Sequence, residues 1–426
     1  MITKPIAATA ALLFAFLPIS TPATAAQDVD PGVILEWNQL AHATIPASAG
    51  PLAVRYYAIL HIAMFDAANS IQRQYTPFWD SVSASSGASS EAAAAQAAHD
   101  VLTALIPGNA QSAMYRAALQ ARLATLPPGR ANQGVAIGKA VASQTLQWRA
   151  NDGIFGPPIP YGLPALPGLW RPATPGTQPG LSQLPAAVPF SMKSITQFLV
   201  PRHPELTSAR YATDFEEVKL IGSLNSGTRS PTQTQTARLF AGVGYGPNVF
   251  VIWNNVARDV TRSRNLSLIE AARLHAFLNV SMMDSLLSTQ TGKFIYGMWR
   301  QITAIPNADS DLNPATIADP NWVPLLGTPP YPTYPGNMAG LGACAAKALA
   351  NGIGTDDMNF SASWVGTGTP PNPNVTRQYS SFSQLAQEEA DSRIYGGIHF
   401  RFDNEASQAS CVKIVQHAYE NLMVPR

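Results

Sequence analysis

Hydrophobic residues recur at helical spacing over most of the chain. Apolar and polar positions alternate with the period of an amphipathic helix, and many of these segments are rich in alanine. Short breaks that contain proline and glycine, such as 106–109 and 126–130, favour antiparallel neighbours in a bundle. The pattern predicts an all-α fold with helices at 33–40, 52–71, 91–105, 110–126, 132–149, 206–221, 232–244, 248–258, 267–290, 338–350, 379–394 and 404–422.

Two longer stretches interrupt this helical pattern. Residues 152–204 combine many prolines with several glycines and few charges, which excludes regular helix over most of their length. We expect an irregular excursion over the bundle surface, either a functional lid or a packed cover whose Tyr161, Trp170 and Phe190 are anchors. A second loop is expected at 352–377.

The first 25 residues have the features of a secretory signal peptide. Lys4 supplies the positive start, residues 6–19 the apolar run, and Ala23-Thr-Ala25 a small-residue cleavage site. No later stretch reaches the roughly 18 continuous apolar residues of a membrane span. We therefore expect an exported, periplasmic or extracellular protein in which residues 26–426 form a single domain, since no repeat or linker divides them.

Composition narrows the range of partners. Hydrophobic residues make up 46% of the chain, enough for a large core, whereas only 12% are charged and the net charge is +1. A chain so poor in basic residues lacks the electrostatic surface that binds nucleic acid or a membrane. The composition therefore gives no indication of a nucleic-acid or membrane-surface partner.

Two separated motifs carry the basic residues of most interest. Lys293 and Arg300 are seven positions apart, so on one helix they would share a face. The Lys293 ammonium and the planar Arg300 guanidinium could then both bind one anion. Arg393 and His399 flank Gly396-Gly397, a pair that ends a helix and turns the backbone back. Because no Gly-rich phosphate loop accompanies them, these residues predict a site for a tetrahedral oxyanion rather than a nucleotide.

The order and spacing of these residues resemble a known family. Lys-x6-Arg, a proline-led turn at 335–338 and Ser-Arg-x5-His are similar to the vanadium-dependent haloperoxidases and type 2 phosphatidic acid phosphatases, which include bacterial soluble acid phosphatases. The stretches 51–69, 149–153 and 299–305 resemble the bacterial haloperoxidase-like branch. The resemblance implies a large helical bundle with long Pro-rich surface loops, and a homodimer.

The middle motif departs from the family pattern. Relatives have Pro-Ser-Gly-His, in which Ser and Gly bind the oxyanion and His acts as acid-base group or transition-state stabiliser, whereas this chain has Gly336, Asn337 and Met338. A thioether cannot deliver a proton. Amides at the start of the following helix can still point at an anion.

The resemblance assigns roles residue by residue. His399 would be the nucleophile or the vanadate ligand, and Lys293, Arg300, Arg393, Gly336 and Asn337 would bind the oxyanion. The expected cofactor or ligand is vanadate or phosphate, without a divalent metal.

Two hypotheses about function remain open. In the first, the protein is a slow phosphatase or haloperoxidase-like enzyme acting through His399, with the acid-base role lost or supplied from a loop. In the second, it is a non-catalytic oxyanion-binding protein or structural pseudoenzyme. The loop candidates for the acid-base role are Asp309, Asp311, Asp356 and Asp357.

Four further residues have less specific interpretations. His61 and Asp66 share a predicted helix but not a face, and we expect a hydrogen-bonded core histidine and a solvated or capping aspartate. Cys344 and Cys411 lie on the helices that follow the second and third motifs. Because these helices are expected to converge, the cysteines either form a disulfide or remain as two buried thiols.

Overall fold

The computed structural model describes residues 30–426, so the predicted signal peptide at 1–25 lies outside the described residues. The fold is a large helical bundle, as predicted, with one small sheet. Most predicted helices are present, and the bounds differ mainly at their ends. The helices are α1 Gly32–Thr44, α2 Ala53–Gln72, α3 Ser90–Leu105, α4 Asn109–Ala124, α5 Pro128–Arg149, α6 Ala209–Gly222, α7 Pro231–Ala241, α8 Val249–Ser263, α9 Leu268–Tyr296, α10 Gln301–Ala304, α11 Asn337–Ile353, α12 Phe382–Tyr395 and α13 Arg401–Asn421.

Helix α9 is the central element of the bundle. Its side chains are buried almost continuously from Leu268 to Lys293, and it packs against α2, α11 and α13. Ser267 and Glu270 form the predicted capping box at its start, and Gly297, in the left-handed region with φ 60°, ends it. Within residues 30–426, no helix has the length and hydropathy that a membrane crossing requires. Because α9 is surrounded by protein, its last turn delivers Lys293 into the interior.

The amino-terminal part of the bundle relies on close helix contacts. Helices α3 and α5 approach so closely that a Cβ atom added at Gly134 would meet the Ser89 carbonyl, and one at Gly138 would meet the Ala93 carbonyl. Alanines cover most of the facing surface of α3. Small residues at these positions therefore set the distance between the two helices.

The excursion at 152–204 is irregular, as predicted, apart from one 3₁₀ turn at Leu184–Ala186. Asp284 of α9 holds the excursion against the bundle, because its carboxylate accepts hydrogen bonds from the Phe190 amide (2.7 Å) and the Ser191 amide (2.7 Å). Trp170 is buried, and its amide donates to the Gly297 carbonyl (2.6 Å) just after α9. Trp170 and Phe190 are thus packing anchors, and the excursion covers the end of α9.

The predicted loop at 352–377 is wrong in part, because it contains a β-hairpin. Strands β2 (Asp357–Gly366) and β3 (Val375–Ser381) pair antiparallel, and a two-residue strand, β1 (Tyr245–Gly246), joins the β2 edge. In β2, Phe360, Ala362 and Trp364 are buried while the intervening residues are exposed. This two-residue alternation is the sequence signal of a half-buried strand, and it outweighed the surrounding Gly, Asn and Pro residues.

His61 is a buried, hydrogen-bonded core histidine, as predicted. Its Nε2 lies 2.9 Å from the Asn38 side-chain nitrogen, and its ring packs 4.9 Å from that of His275. Asp66 is buried rather than solvated, and its carboxylate accepts hydrogen bonds from the Phe78 and Trp79 amides. Asp66 therefore caps the loop after α2, and neither residue belongs to the candidate site.

Cys344 of α11 and Cys411 of α13 form a disulfide. The bond joins two helices whose first residues follow the middle and third motifs. It therefore limits how far those two motifs can separate when the chain is partly unfolded.

We expect the double variant Cys344→Ala/Cys411→Ala to be less stable than the oxidised protein. The disulfide closes a loop of 67 residues, and removing such a constraint on the unfolded chain costs about 2–4 kcal/mol. Urea denaturation at equilibrium measures this difference. Reduced wild type is the matched control and should resemble the variant, and an unchanged free energy of unfolding would contradict the prediction.

Candidate functional site

Lys293 lies in the last turn of α9 and is fully buried. Its ammonium group donates hydrogen bonds to the Thr333 carbonyl (2.7 Å) and the Pro335 carbonyl, both in the segment that leads into α11. An ammonium group has three N–H bonds, so one remains for a ligand. Burial lowers the pKa of Lys293 well below its ordinary value, and the positive charge of Arg300 lowers it further.

Arg300 is buried close to Lys293, although the two residues do not share a helical face. Helix α9 ends at Tyr296, and Arg300 precedes α10, so the helical-face argument for this pair is wrong. Its Nε donates to the Tyr331 carbonyl (2.7 Å) and its Nη1 to the Ile398 carbonyl (2.6 Å). The Nη2 group is buried and has no hydrogen-bond partner among the described residues.

Arg393 lies in the last turn of α12 and is also buried. Its Nε and Nη1 groups lack hydrogen-bond partners within residues 30–426. Helix α12 ends at Tyr395, and Gly397, with φ 74°, turns the chain towards α13 as the sequence predicts. A side chain at Gly397 would overlap the Gly222 carbonyl, so this turn depends on glycine.

His399 follows that turn and is held by a buried carboxylate. Its Nδ1 lies 2.9 Å from Oδ2 of Asp403, and its Nε2 lies 3.4 Å from Nη1 of Arg300. Asp403 also accepts hydrogen bonds from the Thr333 hydroxyl (2.6 Å) and the Phe400 amide (3.0 Å). This arrangement places a proton on Nδ1 and the lone pair of the imidazole on Nε2.

The charges of the site keep His399 neutral. Burial lowers its pKa well below the ordinary value, and Arg300, Lys293 and Arg393 lower it further. Burial raises the pKa of Asp403 to about 7, against the hydrogen bond from Thr333 and the charge of Lys293. A neutral imidazole with its lone pair on Nε2 is the form that attacks phosphorus or coordinates a metal-oxo anion.

The altered middle motif lies at the start of α11. The Gly336 amide donates to the Asp403 carbonyl (2.8 Å), so it is committed within the protein. The Asn337 side chain donates to the Tyr331 hydroxyl (3.3 Å) and accepts from the Met338 amide (3.1 Å). Met338 packs against the main hydrophobic core and is partly buried. The motif therefore contributes one amide side chain near the cations and no proton-transfer group of its own.

Four residues that the sequence prediction missed complete the surroundings. Asp403 could have been found from its i, i+4 spacing to His399. Tyr331 and Thr333 carry no sequence signal of their own, because irregular backbone places them. Glu389, one turn before Arg393, accepts a hydrogen bond from the Trp253 indole (2.8 Å), and burial raises its pKa to about 8.

The loop aspartates named as acid-base candidates are occupied elsewhere. Asp311 accepts hydrogen bonds from Thr316 and from the Asn313 amide, and Asp356 accepts from the Ser383 hydroxyl. Asp309 lies in a 3₁₀ turn, and Asp357 is exposed at the start of β2. None of the four has a hydrogen bond or ion pair with the buried cations in the described part of the chain.

Lys293, Arg300 and Arg393 thus form a buried group of cations, which we call the cation cluster. Among the ion pairs formed within residues 30–426, none includes a member of this cluster. Asp403 attracts Lys293 and Arg300, and Glu389 attracts Arg393, but neither carboxylate is in direct contact with a cation, and buried charges that are not directly paired are costly. The unpartnered N–H groups beside the Nε2 lone pair of His399 fit a tetrahedral oxyanion such as phosphate or vanadate.

Comparisons with known proteins agree with this architecture. The model of the VCPO second helical-bundle domain family matches residues 273–425, which contain the whole candidate site. No curated protein sequence matches the chain significantly.

Solved structures share the fold over most of the chain. The structure of a bacterial vanadium-dependent iodoperoxidase is 21% identical, with a TM-score of 0.77, and the match covers 93% of this chain and 98% of that one. The holo-type structure of a bacterial vanadium-dependent chloroperoxidase is 15% identical, with a TM-score of 0.69, covering 87% and 91%. The apo-type chloroperoxidase structure is 14% identical, with a TM-score of 0.67, covering 86% and 92%. The family-model match covers the part of the chain that holds the candidate site, and the solved structures show that the chain shares the fold of bacterial vanadium-dependent haloperoxidases.

Proposed function

We propose that the protein binds phosphate or vanadate at the cation cluster and slowly hydrolyses phosphate monoesters through His399. The observation that carries this proposal is the set of buried, unpartnered N–H groups on Arg300 and Arg393 around a neutral imidazole. A phosphoryl group would supply both the negative charge and the acceptor oxygens that these side chains lack.

The proposed reaction has two steps. The lone pair on Nε2 of His399 attacks phosphorus, the bond from phosphorus to the ester oxygen breaks, and the leaving oxygen takes a proton. Water then attacks the phosphohistidine, which releases phosphate and restores the imidazole. Asp403 holds the imidazole throughout, and the three cations stabilise the charge on the equatorial oxygens.

Slow turnover follows from the altered middle motif. General acid-base catalysis contributes typically 10²- to 10⁴-fold to a rate, and Met338 cannot take part in it. The electrostatic contribution of the cation cluster does not depend on residue 338. Esters whose leaving groups need no proton should therefore be the better substrates.

Vanadate is the alternative occupant of the same site. The named neighbours are haloperoxidases, and bound vanadate would supply the oxidation of halide by hydrogen peroxide. In this chain His399 would be its protein ligand, with the cation cluster around its oxygens. A binding protein without turnover is the second candidate function, and the methionine at position 338 favours it.

The expected cellular setting belongs to the same proposal. Export to the periplasm or the extracellular space rests on the signal-peptide pattern at 1–25 and agrees with the disulfide between Cys344 and Cys411. A homodimer is implied by the family resemblance alone.

The first experiment combines binding and turnover. Phosphate and orthovanadate should each raise the melting temperature, since a ligand at 100 times its Kd stabilises a protein by about 2.7 kcal/mol. 4-Nitrophenyl phosphate should be hydrolysed, and His399→Ala should abolish hydrolysis. Binding without hydrolysis would favour the non-catalytic alternative, and the absence of both would contradict the proposal.

We expect Arg393→Met to weaken vanadate binding without destabilising the free protein. The free protein loses no hydrogen bond of the Nε or Nη1 group, while the anion loses two donors, so the Kd should rise at least about 10-fold. Calorimetric titration and urea denaturation measure the two effects.

Arg149→Met is the matched control for this variant. Arg149 is equally buried, but all three of its nitrogens donate hydrogen bonds, to Asp152, Pro189 and Val188. This change should lower stability and leave the vanadate affinity of the folded protein unchanged. If Arg393→Met destabilises the free protein while retaining affinity, Arg393 has a structural role only.

We expect Met338→His to raise the hydrolysis rate of esters with poor leaving groups by at least about 10-fold, because it restores a proton-transfer group. The single change is preferable to one that includes Gly336→Ser, because a Cβ atom at Gly336 would lie 2.6 Å from Oδ1 of Asn404. Met338→Gln, which cannot transfer a proton at neutral pH, is the control. A folded, vanadate-binding Met338→His protein with an unchanged rate would show that the lack of an imidazole at position 338 does not limit turnover.

A further inference from the structure

We propose that the Tyr331 hydroxyl is the proton donor to the leaving group, in place of the imidazole that Met338 replaces. This inference rests on the proposed phosphatase function and deepens it. It assigns a catalytic role to a loop residue that the motifs do not include.

Tyr331 lies over the cation cluster. Its ring centroid is 5.1 Å from the guanidinium carbon of Arg300 and 5.4 Å from the ammonium nitrogen of Lys293. Its carbonyl accepts the hydrogen bond from Nε of Arg300 that fixes that side chain. The ring is only partly buried, so it forms one wall between the cations and the solvent.

The Tyr331 hydroxyl is close enough to influence two members of the cluster. Burial lowers the pKa of Arg300 and of Arg393, and Tyr331 is the next largest influence on both and raises their pKa. Arg300 and Arg393 carry the unpartnered N–H groups that frame the anion.

Asn337 orients this hydroxyl. Its side-chain amide donates to the Tyr331 oxygen at 3.3 Å, so the hydroxyl accepts from Asn337 and its own proton is free to point elsewhere. Asn337 and Met338 both depart from the family pattern, and the first of them contacts the proposed donor. We therefore assign Asn337 as a positioning residue for Tyr331.

The other acidic groups near the site are less suited to this role. Asp403 is engaged with His399, and the Glu389 carboxylate accepts a hydrogen bond from Trp253 in the interior. The imidazole of His203 is also engaged away from the cation cluster. Its Nδ1 lies 2.9 Å from the Pro204 carbonyl, and its ring packs edge-on against Tyr334. Tyr331 alone among these groups combines a free proton with partial access to solvent.

The proton balance closes over one catalytic cycle. As Nε2 of His399 bonds to phosphorus and the ester bond breaks, the Tyr331 proton passes to the leaving oxygen, which gives an alcohol or phenol and a Tyr331 phenolate. In the second step the phenolate accepts a proton from the attacking water. Phosphate leaves, and both His399 and Tyr331 return to their starting forms.

The test compares two esters in Tyr331→Phe. Phenyl phosphate has a leaving group that needs a proton, and its kcat should fall about 100-fold. 2,4-Dinitrophenyl phosphate leaves as a stable anion, and its kcat should change by less than about 3-fold. Tyr334→Phe is the control, because its hydroxyl donates to the Pro201 carbonyl instead and should produce no dependence on leaving group.

A second variant and a binding measurement complete the test. Tyr331→Phe/Met338→His should regain most of the lost activity on phenyl phosphate, because the imidazole supplies the missing proton. An equal fall for both esters, or no fall for either, would overturn the role of Tyr331. If wild type hydrolyses neither ester, the Tyr331 proposal fails, while vanadate affinity measured on the same sample decides separately whether the oxyanion site stands.

Discussion

The structure depends on the burial of three basic side chains that form no ion pair within residues 30–426, although the buried carboxyl groups of Asp403 and Glu389 lie near enough to attract them. Lys293, Arg300 and Arg393 are removed from water, and none forms an ion pair with another described residue. Such an arrangement is costly unless backbone carbonyls or a ligand compensate. Backbone carbonyls accept hydrogen bonds from Lys293 and from two nitrogens of Arg300. The N–H groups without a partner, on Arg300 and Arg393, belong to the same cluster as the imidazole of His399. An anion completes the set, which is why oxyanion binding is the function that this geometry supports best.

Several chain segments must be held together to produce this site. The end of α9 delivers Lys293, the end of α12 delivers Arg393, and the turn through Gly397 places His399 before α13. The Gly336 amide and the Cys344–Cys411 disulfide tie α11 to the chain around α13. The irregular excursion then covers the end of α9 through Trp170. Together these contacts limit how far the cations can separate.

The sequence predicted the helical fold and the irregular excursion, and it named the basic residues that form the cation cluster, whereas the signal peptide predicted at 1–25 lies outside the described residues. It did so because helical periodicity and proline content are local properties, and because the basic residues follow a family spacing. The physical reason offered for the Lys293 and Arg300 pair was wrong, since Gly297 ends α9 between them. The hairpin at β2 and β3 was missed because turn-forming residues concealed the alternation around Phe360 and Trp364. Tyr331 was missed for a different reason: its position over the cluster is fixed by irregular backbone, which no periodicity describes.

The middle motif is where this chain departs from the sequence pattern of the family that it resembles. Lys293, Arg300, Arg393 and His399 match that pattern, whereas position 338 is a methionine and the side-chain amide of Asn337 contacts the Tyr331 phenol. A crystal structure of the protein soaked with orthovanadate tests the central claim most directly. We predict density for one vanadate bonded to Nε2 of His399, with its oxygens contacting Arg300 and Arg393. A structure in which vanadate is absent from the cation cluster, or bound only elsewhere, would contradict the account.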